Sequence, residues 1–166
     1  VTCDAIVSVY ELTKNLTFEI ILVDNNSKDG SLNIISKRFP NVILIQNKIN
    51  KGFGRANNQG IAIAKGKYIF LLNSDTYLLN NSIFLLYEFM ENKANIDVNL
   101  CGGQLYNEDK ALGFSYGNFP NYKLFVKGSL LRCFYRKSFY KNETRMIPKY
   151  HHIHPFEVEF VSGADF

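Results

Sequence analysis

The sequence predicts an α/β domain with a mostly parallel central sheet flanked by helices, and three observations carry the prediction. Short β-rich apolar runs alternate with stretches of helical periodicity. The runs are nearly continuous in hydrophobicity, as strands covered on both faces are. Each run also gives way to polar residues, which is how strands open into the loops of an alternating fold. A chain of 166 residues, 46% hydrophobic and 20% charged, is long enough for one domain with a sizeable core. That balance excludes a disordered tail, a collagen-like repeat and a disulfide-rich mini-protein.

The elements follow in order. Residues 4–12 form a helical stretch with Ile6, Val9 and Tyr10 at helical spacing. Residues 18–24 read as the first strand. Residues 29–39 are helical, with Leu32, Ile35 and Phe39 on one side and Pro40 as the stop. Residues 42–45 are the second strand. Residues 56–64 are helical, placing Ile61 and Ala64 on a shared face before Gly66. Residues 68–72 are the third strand, and residues 82–90 a helix turning Leu85, Leu86 and Phe89 toward the core. Residues 98–106 read as a further strand, 107–110 as a turn, 114–122 as ordered loop, and 157–161 as a last strand.

Three cysteines, Cys3, Cys101 and Cys133, lie far apart without metal-ligand spacing, so reduced thiols in a cytoplasmic protein are the expectation. No apolar run approaches the length of a membrane span, and no secretory signal opens the sequence. The net charge of +4 is uneven: residues 1–100 carry +1 and residues 101–166 carry +3. Residues 122–149 hold eight basic side chains against the single acid Glu143.

Ligands of open parallel sheets gather beyond the carboxyl ends of the strands. There the sequence offers Asp24-Asn-Asn-Ser-Lys-Asp-Gly-Ser31, then Asn47-Lys-Ile-Asn-Lys-Gly-Phe-Gly-Arg-Ala-Asn-Asn58, then Asn73-Ser-Asp-Thr76. Amides, hydroxyls, carboxylates, cations and a glycine-rich stretch are what a nucleotide base, ribose and pyrophosphate require. Each segment alone has a plainer reading. The first is a turn with Asp29 capping the next helix. The second fails as a dinucleotide fingerprint, since Asn57 stands where the third glycine belongs, and this disfavours a dehydrogenase. Asp75 alone is a polar residue opening a loop. Converging on one sheet edge, the three make a stronger case.

Ile21-Leu-Val-Asp-Asn-Asn-Ser-Lys-Asp-Gly-Ser31, Asn50-Lys-Gly-Phe-Gly-Arg-Ala-Asn-Asn-Gln-Gly-Ile61, Gly66-Lys-Tyr-Ile-Phe-Leu-Leu-Asn-Ser-Asp-Thr76, Cys101-Gly-Gly-Gln-Leu105 and Val161-Ser-Gly-Ala164 together resemble family 2 glycosyltransferases of the GT-A fold, especially the rhamnosyltransferase-like branch. The resemblance implies a Rossmann-like nucleotide-sugar-binding domain, with residues 1–100 as the donor half and 101–166 as the start of the acceptor half. It implies transfer of a sugar from a nucleotide-diphosphate donor to a saccharide or lipid-linked acceptor with inversion, in bacterial cell-surface polysaccharide synthesis. The alternative is a non-catalytic nucleotide-sugar-binding domain or inactive fragment.

The same resemblance assigns residues. Asn25 stands where the base is read, with Asp24 bracing the loop. Asn50, Gly52, Arg55 and Asn58 lie in the segment that runs along the nucleotide. Asn73 and Asp75 fall at the metal motif, with Asp75 the expected ligand of Mg²⁺ or Mn²⁺. One carboxylate suffices when phosphates complete the shell. Ser162, Gly163 and Ala164 mark the acceptor side. A strand before Thr2 and a general base beyond Phe166 are also implied, so the chain is expected to be a piece of the domain cut at both ends.

Two features remain. Residues 123–141 mix cations with large apolar groups. An amphipathic helix or lid packed on the domain is the favoured reading, and contact with the inner face of a membrane is the alternative. Nucleic acid is not an expected partner, because no nucleic-acid module is recognised. His151, His152 and His154 are expected to form a solvated loop near the acceptor side rather than a metal site.

Overall fold

The computed structural model describes residues 1–113, 115–117, 155, 156, 158, 160 and 161. The chain divides into two compact units, Val1–Asn95 and Ile96–Phe166. The first contains α1 (Thr2–Leu12), β1 (Ile21–Asp24), α2 (Ser31–Arg38), β2 (Ile43–Gln46), α3 (Phe53–Ile63) and α4 (Ser82–Glu91), followed by one turn of 3-10 helix.

β1 and β2 pair in parallel, with Ile21 opposite Ile43 and Asp24 opposite Gln46. Their connection through α2 is the crossover that parallel neighbours require. The period-two alternation of the strands sorts their side chains between two helical layers. Ile20, Leu22 and Leu44 join Cys3 and Phe39 around the buried residues Ile6, Ile35 and Val42, between the sheet and helices α1 and α2. Ile21 and Val23 face α3 instead. A Cβ on Gly60 would lie 3.5 Å from the Val23 side chain and 3.7 Å from that of Ile21, so α3 rests closely on β1. Ile35 is 1% exposed, and burying such a side chain contributes about 1.5–3 kcal/mol.

Sequence-level cues account for the helix ends. Asp29 Oδ1 accepts from the Ser31 N–H at 3.0 Å, relieving an unpaired donor in the first turn of α2. The Ser31 hydroxyl first, and then that backbone bond, hold the Asp29 carboxyl below its ordinary pKa. Lys37 and Arg38 close the helix where its dipole favours cations. α3 begins three residues earlier than the periodicity indicates, directly after Gly52, whose φ of 83° and ψ of 161° only glycine adopts readily. In α1, Ser8 is buried; its hydroxyl donates to the Ala5 carbonyl and accepts from the Leu78 N–H at 3.0 Å, tying the loop before α4 to α1.

Three expectations need correction. Residues 68–72 form no strand. Ile69, Phe70 and Leu71 are 46%, 41% and 50% exposed, and among the described residues no strand lies alongside to share hydrogen bonds. A β-rich run is a strand only with a neighbour; otherwise water satisfies its backbone. Its start is pinned instead to α4: Lys67 pairs with Glu91, the Tyr68 hydroxyl donates to Glu91 Oε1 at 2.6 Å, and Tyr68 meets Tyr87 edge-on. Residues 98–106 likewise form no strand, retaining only an antiparallel bridge between Tyr106 and Leu112. Finally, α4 buries none of its residues, and Leu85 is 54% exposed.

In the second unit, the turn at 107–110 is present, with the Lys110 N–H donating to the Asn107 carbonyl. Gln104 caps it by donating to the Leu105 and Gly113 carbonyls. β3 (Tyr116–Gly117) pairs antiparallel with β4 (Phe160–Val161), so the last predicted strand is present over its final two residues. Among the described residues no helix is long and apolar enough to cross a membrane. Residues 123–141, the histidines at 151, 152 and 154, and Cys133 lie outside the described residues.

Candidate functional site

Because β1 and β2 are parallel and adjacent, the loops leaving Asp24 and Gln46 emerge side by side. Polar side chains then lock them together. Asp24 is buried; its Oδ1 accepts from the Ser27 N–H at 3.1 Å and its backbone carbonyl accepts from the Asn47 N–H at 2.9 Å. Asp24 Oδ2 is buried with no hydrogen-bond partner among the described residues.

Asn25 bridges the loops. Its Nδ2 donates to Asn50 Oδ1 at 2.8 Å, while its Oδ1 accepts from the Lys51 N–H at 2.9 Å and from Asn47 Nδ2 at 3.3 Å. Asn50 Oδ1 also accepts from the Gly52 N–H at 2.8 Å, which anchors the residue that launches α3. Behind them Asn47, 4% exposed, forms a reciprocal amide pair with Gln59 of α3: Asn47 Nδ2 donates at 2.8 Å and Gln59 Nε2 returns a bond at 3.1 Å. Four side-chain amides thus join two strand ends to a helix.

Of the residues singled out from sequence, Asp24, Asn25, Asn50 and Gly52 are brought into this one cluster. Arg55 and Asn58 are exposed on the first two turns of α3, which Gly52 starts. Asn73 and Asp75 sit in a separate turn, closed by the Thr76 N–H and hydroxyl donating to the Asn73 carbonyl at 3.2 and 2.9 Å. Asp75 is exposed at that turn, and no hydrogen bond or ion pair joins it to the amide cluster among the described residues. The convergence of three strand ends is therefore seen for two. Ser162, Gly163 and Ala164 lie outside the described residues. Asn47 and Gln59 were not singled out. The position of Asn47, first polar side chain after β2, was the available signal; Gln59 carried none, because its partner depends on how α3 is rotated against the strand.

A family model described as Glycosyl transferase family 2 matches residues 2–155. The chain belongs to that family. The α/β architecture with helices over a parallel sheet accords with the GT-A fold of family 2. The family 2 chain is 37% identical over 91 residues to a poly(ribitol-phosphate) beta-glucosyltransferase of Bacillus spizizenii, covering 52% of this chain and 14% of that protein. It is 37% identical over 101 residues to glycosyltransferase GlyG of Streptococcus pneumoniae, covering 59% of this chain and 33% of that one. It is also 37% identical over 92 residues to the UDP-Glc:alpha-D-GlcNAc-diphosphoundecaprenol beta-1,3-glucosyltransferase WfaP of Escherichia coli, covering 53% of this chain and 37% of that one. This chain therefore spans well under half the length of each of these relatives. No solved structure matches it.

Enzymes of family 2 are often dependent on a divalent metal. Asp75 offers the hard carboxylate oxygen that Mg²⁺ or Mn²⁺ takes. Among the described residues no group of three His, Cys, Asp or Glu side chains is gathered to hold an ion. One exposed carboxylate is what this turn offers such an ion.

Proposed function

We propose that this family 2 domain binds a nucleotide-diphosphate-sugar across the carboxyl ends of β1 and β2 and takes part in transferring the sugar, with inversion, to a saccharide or lipid-linked acceptor of a bacterial surface polysaccharide. The observation that carries the reading is the Asn25–Asn50 bridge, which holds the two polar loops as one surface where an open α/β sheet takes its ligand. Asn25 faces the base, and Asp24 holds that loop. Asn50 and Gly52 set the start of α3, whose dipole and Arg55 favour the negatively charged diphosphate, with Asn58 one turn further on. The E. coli relative is named for a UDP-glucose donor and a diphosphoundecaprenol-linked acceptor, in keeping with this class of substrates. Within the family, the rhamnosyltransferase-like branch rests on the resemblance of the segments at 21–31, 50–61, 66–76, 101–105 and 161–164.

In an inverting transfer the acceptor oxygen bonds to the anomeric carbon from the face opposite the diphosphate. The bond from that carbon to the phosphate oxygen breaks, and the acceptor hydroxyl gives its proton to a general base. None of the described residues is assigned as that base. Asp75 would hold Mg²⁺ or Mn²⁺, with Asn73 beside it on the donor, and the cation's charge would offset that gained by the leaving group.

Calorimetric titration of UDP and dTDP, with and without Mn²⁺, tests the reading. A nucleoside diphosphate binds, Mn²⁺ tightens it, and Asp75→Ala removes the gain from Mn²⁺ while leaving the metal-free affinity. Absence of binding by either nucleotide overturns the donor site; a Mn²⁺ effect that survives Asp75→Ala overturns the metal assignment alone.

A further inference from the structure

We propose that the side chains of Asn25 and Asn50 form a latch between the two strand-end loops, and that this latch presets the segment from Lys51 to Arg55 for the diphosphate. The inference rests on the donor-site reading above and deepens it. It gives the two amides a positioning role that is separate from any contact with the nucleotide.

The backbone dictates how the latch closes. The Lys51 N–H can only donate, so the atom 2.9 Å from it is Asn25 Oδ1. The Gly52 N–H can only donate as well, so the atom 2.8 Å from it is Asn50 Oδ1. Asn25 Nδ2 donates to that same oxygen at 2.8 Å. Asn25 therefore takes a bond from the backbone of the second loop and returns one to its side chain. Turning over either amide, or both, sets an NH₂ group against a backbone N–H, so a single arrangement satisfies the set.

The latch holds the entry to a helix. The bond from the Gly52 N–H to Asn50 Oδ1 closes an asparagine turn, in which the side chain engages the backbone two residues on. Gly52 leaves that turn at φ 83° and ψ 161°, and its carbonyl accepts from the Ala56 N–H at 3.1 Å, a bond of the first turn of α3. Ala56 is buried, so the chain of bonds runs from the loop after β1 to the packed side of α3. Arg55 lies on that first turn, exposed and, among the described residues, without an ion pair. A cation whose backbone is already fixed loses less conformational freedom when it meets an anion.

The latch requires that residue 25 accept and donate together. Asn25→Asp keeps the shape and the bond from the Lys51 N–H, but a carboxylate has no hydrogen to give and sets its oxygen against Asn50 Oδ1. Asn50 can turn its NH₂ toward the carboxylate only by abandoning the Gly52 N–H. One bond of the latch is lost either way, and a polar group is left facing its like.

The test titrates uridine and UDP, with thymidine and dTDP alongside, by NMR on wild type, Asn50→Ala, Asn25→Asp and the double variant. Metal is omitted, and salt is held at about 0.15 M to screen the added charge. Asn50→Ala weakens the nucleoside diphosphate by about tenfold, the worth of one good hydrogen bond, and the nucleoside by less than about twofold. Asn25→Asp lowers the advantage of diphosphate over nucleoside by about tenfold in wild type and by about threefold or less when Asn50 is already alanine. Equal falls for nucleoside and diphosphate in Asn50→Ala overturn the positioning role. So does a lowered melting temperature with both affinities unmoved, which is what a merely structural Asn50 gives. An Asn25→Asp effect of the same size in both backgrounds acts through charge alone and overturns the latch. Failure of every nucleotide to bind wild type removes the donor site itself. Should Asn50→Ala not fold, hydrogen exchange of the wild type decides. The Lys51 and Gly52 N–H groups are protected without ligand, and UDP adds less than about threefold; protection that arises only with UDP overturns the inference.

Discussion

Replacing Asn47 by alanine isolates the contribution of the amide cluster to stability. The substitution keeps the backbone bond from the Asn47 N–H to the Asp24 carbonyl and removes three side-chain bonds, at 2.8, 3.1 and 3.3 Å. A hydrogen bond between neutral groups contributes about 0.5–1.5 kcal/mol net, and the longest of these falls at the weak end. Asn47 is 4% exposed, so water does not replace it freely, while Asn25 and Gln59 are half-buried and recover part of their solvation. The expected loss is about 2 kcal/mol. Urea unfolding followed by circular dichroism reads it as a midpoint lowered by about 1 M, with the slope unchanged, at a slope of about 2 kcal/mol/M. Combining Asn47→Ala with Gln59→Leu costs less than the two singly, by about 1 kcal/mol, because both remove the same pair. A single-site loss below about 0.5 kcal/mol, or strict additivity, would refute the view of the amides as one coupled unit.

Two further outcomes are expected. Gly52→Ala destabilises by about 1–3 kcal/mol and weakens UDP binding, because its backbone lies at φ 83° while nothing stands within 4 Å of the added carbon; thermal melting checks this, and unchanged stability contradicts it. The exposed Lys67–Tyr68–Glu91 group gives a pH-dependent term. Hydrogen bonds from Lys67 and then Tyr68 hold the Glu91 carboxyl below its ordinary value, and Glu91 holds the Lys67 ammonium above its own. The depressed carboxylate contributes fully above about pH 4.5 and loses its contribution as pH falls through its lowered pKa; the raised ammonium contributes fully below about pH 10.5 and loses it as pH rises beyond. The difference in melting temperature between wild type and Glu91→Gln is therefore small, widest between those limits and narrowing outside them. A constant difference across the range contradicts it.

What could be read from the sequence was whatever depends on near neighbours. The periodicity of Ile6, Val9 and Ile35 indicated the buried faces of α1 and α2, and Asp29 announced the start of the second. The runs at 18–24 and 42–45 became β1 and β2 because α2 brings them alongside each other. The run at 68–72 is as apolar but, among the described residues, has no adjacent strand, so composition promised what pairing did not deliver. Leu85 illustrates the same limit on helices, since an apolar face is buried only where another element covers it. In the site, Asn25 and Asn50 were legible from the polar segments that follow the strands. The Asn47–Gln59 pair was not, because residues twelve apart meet only through the placement of α3 on β1.

Four carboxamides, those of Asn25, Asn47, Asn50 and Gln59, link the strand ends to α3, and none of them gains or loses a proton in water. The donors and acceptors they present to one another are therefore the same at every acidity the fold survives. A change in pH therefore reaches this part of the domain only through groups other than these four amides.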